Sequence, residues 1–334
     1  MTMRVFSTCP QSKDVSPQAY LQRVADVARW SEDAGCEGIL VYADNGIVDP
    51  WLVAQVVIES TGHLSPLVAV QPVYMHPYSV AKMVTSLAYL HGRRVHLNML
   101  AGGFRNDLIA LGDDTPHDDR YARTAEYTRI VLDLLRGGAR VTTEGEHYTT
   151  VDLRLTPQLP SELMPGVLVS GSSPAGLATA DALGATPVKY PQPPGEEDPP
   201  DGREFGVRVG IVARDTADEA WRVALERFPE DRTGQITHKL AMQVSDSHWH
   251  EQLSQRGDVD DAPAAGRSPY WLGPFRNYKT FCPYLVGDHA TVAGEVARYA
   301  RLGATTFILD IPPSRDELAE IERVFDLARQ RVQV

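Results

Sequence analysis

The sequence predicts an α/β chain that closes into a single (β/α)8 barrel spanning residues 1–334. Short apolar runs alternate with amphipathic stretches at helical spacing, giving about eight βα units, the count such a barrel needs. The apolar runs do not alternate in and out, which implies strands covered on both faces, as in a parallel sheet. The first βα turn reads Cys9-Pro10-Gln11 rather than the GxGxxG of an open dinucleotide-binding sheet.

Residues 4–7 give the first strand, and Ser16-Pro17 opens a helix in which Tyr20, Leu21, Val24, Val27 and Ala28 recur before Gly35 ends it. Residues 38–42 form the second strand, and Asp49-Pro50 caps the helix over 51–59. A strand at 67–70, a helix at 79–90 and a strand at 95–100 continue the rhythm. Two insertions interrupt it, at 103–120, polar and irregular, and at 137–166, where residues 141–155 alternate around Glu144-Gly145 as a hairpin. Between them lies a helix over 121–136. Strand 167–170 and helix 175–183 precede a strand at 185–189 and a proline-rich loop over 187–204 that excludes a helix. Strand 205–212, helix 216–228 and a helical region at 235–255 follow. Residues 256–282 read as a lid region with aromatics gathered at its end, and helix 291–302, strand 305–310 and helix 316–329 finish the barrel.

The chain has 334 residues, 43% hydrophobic and 23% charged, with a formal net charge of -12 spread along its length. That balance disfavours nucleic acid and anionic membranes as partners. Cys9, Cys36 and Cys282 are far apart and form no CxxC pair, which fits a reducing cytoplasm. The amino terminus lacks a long apolar segment, and no run approaches the roughly 20 residues of a membrane span, so a cytoplasmic location is expected.

The stretch Ser170-Gly171-Ser172-Ser173-Pro174 joins a strand to a helix start. Serines there leave N–H groups and hydroxyls pointing outward at the positive end of a helix dipole, which suits a phosphate. A nucleophile elbow fits poorly, because Ala175 stands where that motif has its second glycine. No metal site is expected: His248 and His250 would face different directions on a helix, and the cluster Asp113, Asp114, His117, Asp118, Asp119 reads as a solvated loop. His76, just beyond the third strand, stands at the barrel's mouth as a candidate acid or base, or as a helix cap.

Several segments together resemble the bacterial-luciferase-like flavin monooxygenases, in particular their alkanesulfonate monooxygenase branch. They are Asp49-Pro-Trp51-Leu-Val-Ala54, Leu67-Val-Ala-Val-Gln71-Pro72, Val95-His-Leu-Asn98, Arg120-Tyr121 with Glu126-Tyr127, Ser170-Gly171-Ser172-Ser173, Phe205-Gly-Val-Arg208 and Tyr284-Leu-Val-Gly287-Asp288. The resemblance implies reduced FMN (FMNH2), delivered by a separate NAD(P)H:flavin reductase, and O2 as co-substrate. A flavin peroxide or hydroperoxide would then oxygenate a small-molecule organic substrate. It implies that Gly171, Ser172, Ser173 and Tyr121 bind the FMN phosphate, that Asn98 lies near the flavin ring, and that Arg208 is an active-site cation. It further implies that Trp271, Arg276 and Lys279 belong to a lid, and a homodimer or homotetramer is expected. Ile47 replaces the branch's active-site cysteine and Gly210 its histidine, so the sulfonate substrate is not carried over. Two rival readings remain, a deazaflavin-dependent oxidoreductase on the same fold and a non-catalytic flavin-binding protein.

Overall fold

The computed structural model describes residues 2–196, 202–243 and 267–333. Eight parallel strands carry the architecture: β1 (Arg4–Thr8), β2 (Gly38–Val41), β3 (Ser65–Val70), β4 (His96–Leu100), β7 (Val167–Ser170), β8 (Thr186–Lys189), β9 (Phe205–Arg214) and β12 (Ala304–Leu309). They are hydrogen bonded in the order β9-β12-β1-β2-β3-β4-β7-β8, and β8 pairs again with β9, closing the barrel. The remaining strands are a hairpin, β5 (Val141–Glu144) with β6 (Thr149–Leu153), and β10 (Tyr270–Trp271) with β11 (Tyr284–Asp288) beside β9. Helices α1 (Pro17–Asp33), α2 (Pro50–Ser60), α3 (Pro77–His91), α4 (Arg105–Ala110), α5 (His117–Arg136) and α6 (Pro174–Leu183) are followed by α7 (Ala217–Arg227), α8 (Arg232–Gln243), α9 (Gly273–Arg276), α10 (His289–Arg301) and α11 (Arg315–Gln333). Contacts group the chain into an amino-terminal unit, Cys9–Glu32 with Gly38–Pro187, and a carboxy-terminal unit, Met1–Thr8 and Asp33–Glu37 with Val188–Val334.

In the amino-terminal unit the expected cap of α2 is present, and α3 has a glycine cap of its own. Asp49 accepts from the Trp51 amide at 2.9 Å with Pro50 in the first turn of α2, and α3 ends on Gly92 at φ 64°. Trp51, Val68, Leu97, Met99, Tyr127 and Val169 meet in one buried cluster. The β5–β6 hairpin is pinned by Glu126, whose carboxylate accepts from the amides of His147 at 3.1 Å and Tyr148 at 2.7 Å. A Cβ at Gly145 would stand 2.0 Å from that carboxylate, so the close approach requires glycine.

The segment expected to be irregular from 104 to 120 departs from expectation twice. It contains α4, a short helix that buries Leu108, and α5 begins four residues earlier than its pattern suggests. Asp113 is not a solvated loop residue either. Arg123 reaches its Oδ2 at 2.6 Å, and the Thr115 hydroxyl donates to its Oδ1 at 2.5 Å.

In the carboxy-terminal unit β9 pairs with β8, β12 and β11. Its first half pairs with β12 as far as Val209 opposite Leu309, and Gly210 to Arg214 pair with β11. The proline-rich loop starts later than expected, since 187–189 lie in β8; residues 190–196 form no helix, and the Tyr299 hydroxyl donates to the Gln192 carbonyl at 2.5 Å. Residues 197–201 lie outside the described residues. Of the region expected as a lid, 256–266 lies outside them, while Trp271 is core, its ring 5.5 Å from that of Trp221. Among the described residues no helix is long and apolar enough to cross a membrane.

The Asp113 pair predicts a pH dependence. Burial pushes this carboxyl up, but Arg123 and Thr115 outweigh it and hold it at about 2. The folded value lies below the unfolded value of about 3.9, so the pair contributes roughly 2 kcal/mol that is complete above about pH 5 and lost as pH falls towards 2. Urea unfolding across that range should show the stability gap between wild type and Asp113→Asn closing as pH drops. A gap of constant size would exclude this role.

Candidate functional site

In the amino-terminal unit the turn after β7 is shaped by its own residues. Ser173 caps α6 by accepting from the Gly176 amide at 3.2 Å, and Pro174 presets the first helical φ. The amides of the first helical turn have no intrahelical acceptors, and the helix dipole adds positive potential there. Gly171 sits at φ 149°, and a Cβ on it would lie 1.9 Å from the Tyr121 hydroxyl. The turn therefore packs directly on α5. The Ser172 hydroxyl is buried without a hydrogen-bond partner, an arrangement that normally costs about 1–3 kcal/mol unless something answers it.

Neighbouring groups surround the turn. The Tyr121 hydroxyl donates to the Ser170 carbonyl at 3.3 Å; burial pushes its pKa up, opposed by a hydrogen bond with Ser173 and the charge of Arg120. Arg120 is buried and donates to the Thr115 carbonyl at 2.9 Å. It stands beside Tyr121 in sequence, and its adjacency to a tyrosine expected at the phosphate was the available signal for it. Asn98 is buried on β4, and its Oδ1 accepts from the Ser170 hydroxyl at 2.8 Å, tying the end of β4 to the start of the turn. The structure thus brings together Asn98, Tyr121, Gly171, Ser172 and Ser173. Amides, hydroxyls and one buried guanidinium can accept a dianion without any lysine.

His76 is exposed and caps α3, its Nδ1 accepting from the Tyr78 amide at 3.1 Å, with its ring 6.1 Å from that of Tyr148. Ile47 is half-buried in the loop after β2. Two residues before it, Asn45 accepts from the Tyr74 hydroxyl at 2.7 Å and donates to the Asp107 carbonyl at 3.0 Å. Burial, helped by Asp44 and Asp107, pushes Tyr74 up to about 12, so it stays a protonated donor.

In the carboxy-terminal unit Arg208 lies on β9 opposite Ile308 of β12. Two residues on, Gly210 has no room for a side chain, because a Cβ there would stand 2.3 Å from the Tyr284 ring. Thr280 and Tyr284 donate to Asp310 Oδ2 at 2.6 and 2.8 Å. The other residues expected in a lid are placed differently from one another. Lys279 pairs with Asp231 at 2.6 Å, Arg276 ends α9 beside His238, which burial and then the Arg276 charge push down, and Trp271 is core. His248 and His250 lie outside the described residues, and among those described no group of side chains is set to hold a metal ion.

Comparison with known proteins adds to this geometry. Residues 1–193 match the luciferase-like monooxygenase family. The 4-(gamma-L-glutamylamino)butanoyl-[BtrI acyl-carrier protein] monooxygenase BtrO of Niallia circulans is 30% identical over 313 residues, 91% of each chain. Among solved structures, riboflavin lyase RcaE with modified FMN and riboflavin superposes with a TM-score of 0.74 at 18% identity, covering 99% of this chain and 92% of that one. Long-chain alkane monooxygenase LadA superposes with 0.72 at 14%, with the same coverage.

The turn predicts opposite behaviour for two small substitutions. Gly171→Ala forces Tyr121 aside and should cost about 1–3 kcal/mol of stability, since a side chain cannot fit. Ser172→Ala removes a buried orphan hydroxyl, so the ligand-free protein should be equally or slightly more stable, yet lose the stabilisation that added inorganic phosphate confers. Thermal melts with and without phosphate check both; phosphate stabilising Ser172→Ala as much as wild type would exclude the seat.

Proposed function

Because the chain belongs to the luciferase-like monooxygenase family, we propose that it is a two-component enzyme that uses reduced FMN and O2 to oxygenate a small or medium organic substrate. The observation that carries this reading is the buried, unpartnered Ser172 hydroxyl in a glycine turn at the start of α6. It fits a phosphate, and among flavins FMN ends in one.

Gly171, Ser172, Ser173 and Tyr121 would hold the FMN phosphate, the glycine by letting the backbone approach and the hydroxyls by donating. Arg120 adds charge behind Tyr121. Asn98 fixes Ser170 and so the register of the turn. When bound, reduced FMN supplies the two electrons with which O2 is split, one oxygen atom going to substrate and the other to water. A separate NAD(P)H:flavin reductase provides the reduced flavin, and the enzyme works as a homodimer or homotetramer.

His76 has its Nδ1 committed to the α3 cap, which orients the ring and leaves Nε2 to take or give a proton. Arg208 contributes a guanidinium with several N–H donors. Tyr74, kept protonated, donates rather than accepts at the loops after β2 and β3. Ile47 and Gly210 remove the thiol and imidazole that a sulfonate-directed relative would present, so the substrate is not a simple alkanesulfonate. The BtrO relative favours an acyl substrate borne on a carrier protein.

Anaerobic titration with reduced FMN and with a reduced deazaflavin tests the proposal. Reduced FMN should bind, Ser172→Ala should weaken it about tenfold, consistent with loss of a charge-assisted hydrogen bond, and admitting O2 with the reductase should put heavy oxygen into substrate. Preference for the deazaflavin, with hydride transfer and no O2 uptake, would overturn it.

A further inference from the structure

The surroundings of Arg208 carry a conclusion about which substrate groups this cation can meet. Side chains two residues apart on a strand share a face. Gly210 therefore lies on the face of Arg208, and Asp310 continues the face of Ile308, the residue opposite Arg208, one position beyond the end of β12. Diagonal neighbours of this kind are ~7 Å apart, within the span of an arginine side chain. The Tyr284 ring fills the space over Gly210, and its hydroxyl, together with that of Thr280, donates to Asp310 Oδ2. Two hydroxyl donors on one oxygen fix the carboxylate in place. Cys282 senses both charges: burial first and then Asp310 push its thiol up, against the opposing charge of Arg208, to about 12.

We propose that Asp310 is a specificity-determining residue that neutralises Arg208, so that this niche takes an uncharged hydrogen-bonding group, an amide or an alcohol, and turns away anions such as sulfonates. The inference rests on the reading of Arg208 as a substrate-facing cation. A carboxylate held within several ångströms cancels most of the field that a second anion would feel, while the guanidinium N–H groups still donate to a neutral oxygen. Tyr284 is the positioning residue, because its phenol both occupies the volume over Gly210 and orients Asp310.

Calorimetric titration of the flavin-free protein with methanesulfonate and with inorganic sulfate tests this without involving the cofactor, so failure of the FMN assignment leaves the outcome readable. Asp310→Asn keeps an acceptor oxygen for both hydroxyls and removes the charge. It should bind methanesulfonate at least roughly tenfold more tightly than wild type, and Arg208→Gln/Asp310→Asn should lose the gain. Sulfate binding at the Ser172 turn is common to all three proteins and cancels in the comparison. If Asp310→Asn does not fold, Asp310→Ser removes the charge at smaller volume and makes the same test. No gain in either variant, or a gain that survives loss of Arg208, would overturn the proposal.

Discussion

The hydroxyl of Tyr121 occupies the place where a side chain at position 171 would begin, and the shape of the proposed anion seat follows from that contact. With only hydrogen at 171, the chain leaving β7 can turn at φ 149° against α5 rather than away from it. Ser170 is then held from both sides, its carbonyl by Tyr121 and its hydroxyl by Asn98. Ser173 is spent on the cap of α6, and Ser172, between them, has its hydroxyl buried and unanswered. Ser170 and Ser173 have their hydroxyls satisfied within the fold, and Ser172 between them does not. A folded protein carries such a cost where a ligand repays it.

The carboxy-terminal unit uses the same device for a different purpose. Gly210 admits the ring of Tyr284 as Gly171 admits the hydroxyl of Tyr121. There the aromatic residue does not leave an open seat but fills it, and its hydroxyl is committed to Asp310. The extra strand β11 makes this possible, because β9 runs past the barrel and pairs with it from Gly210 onward, bringing Tyr284 opposite the glycine. Trp271, Trp221 and Phe228 then close over the back of Tyr284 as a buried cluster, which anchors the chain on either side of α9.

What could be read in the sequence was what depends on neighbours along the chain. Strands covered on both faces show as unbroken apolar runs, Asp49-Pro50 and Ser173-Pro174 announce helix starts, and Glu144-Gly145 marks the hairpin. The turn at 170–174 reads as suited to a phosphate because its chemistry lies in consecutive residues. What stayed hidden depends on contacts across the fold. α4 is six residues long with one buried leucine, too short to show a period. Asp113 looks like any loop carboxylate until Arg123 is placed beside it, and Asp310 looks like a strand end until Thr280 and Tyr284 converge on it. Trp271 sits in a polar, aromatic stretch that suggests a lid, yet its large apolar surface is buried on Trp221.

Net charge sharpens the same distinction between local and distant effects. With 44 acidic against 32 basic residues, the chain as a whole repels anions, yet the turn at 170–174 is proposed to hold one. At physiological ionic strength charges are screened beyond about 8 Å, so the distant acids matter less than the groups in contact. Backbone amides and serine hydroxyls act only at contact distance and add no charge that would draw in unrelated anions. A lysine in their place would act at longer range and discriminate less. Arg120 reconciles the two demands: buried behind Tyr121 and bonded to the Thr115 carbonyl, it lends positive potential to the turn while staying out of solvent. An acidic protein can therefore hold a dianion by donor geometry, and the geometry descends from one missing Cβ.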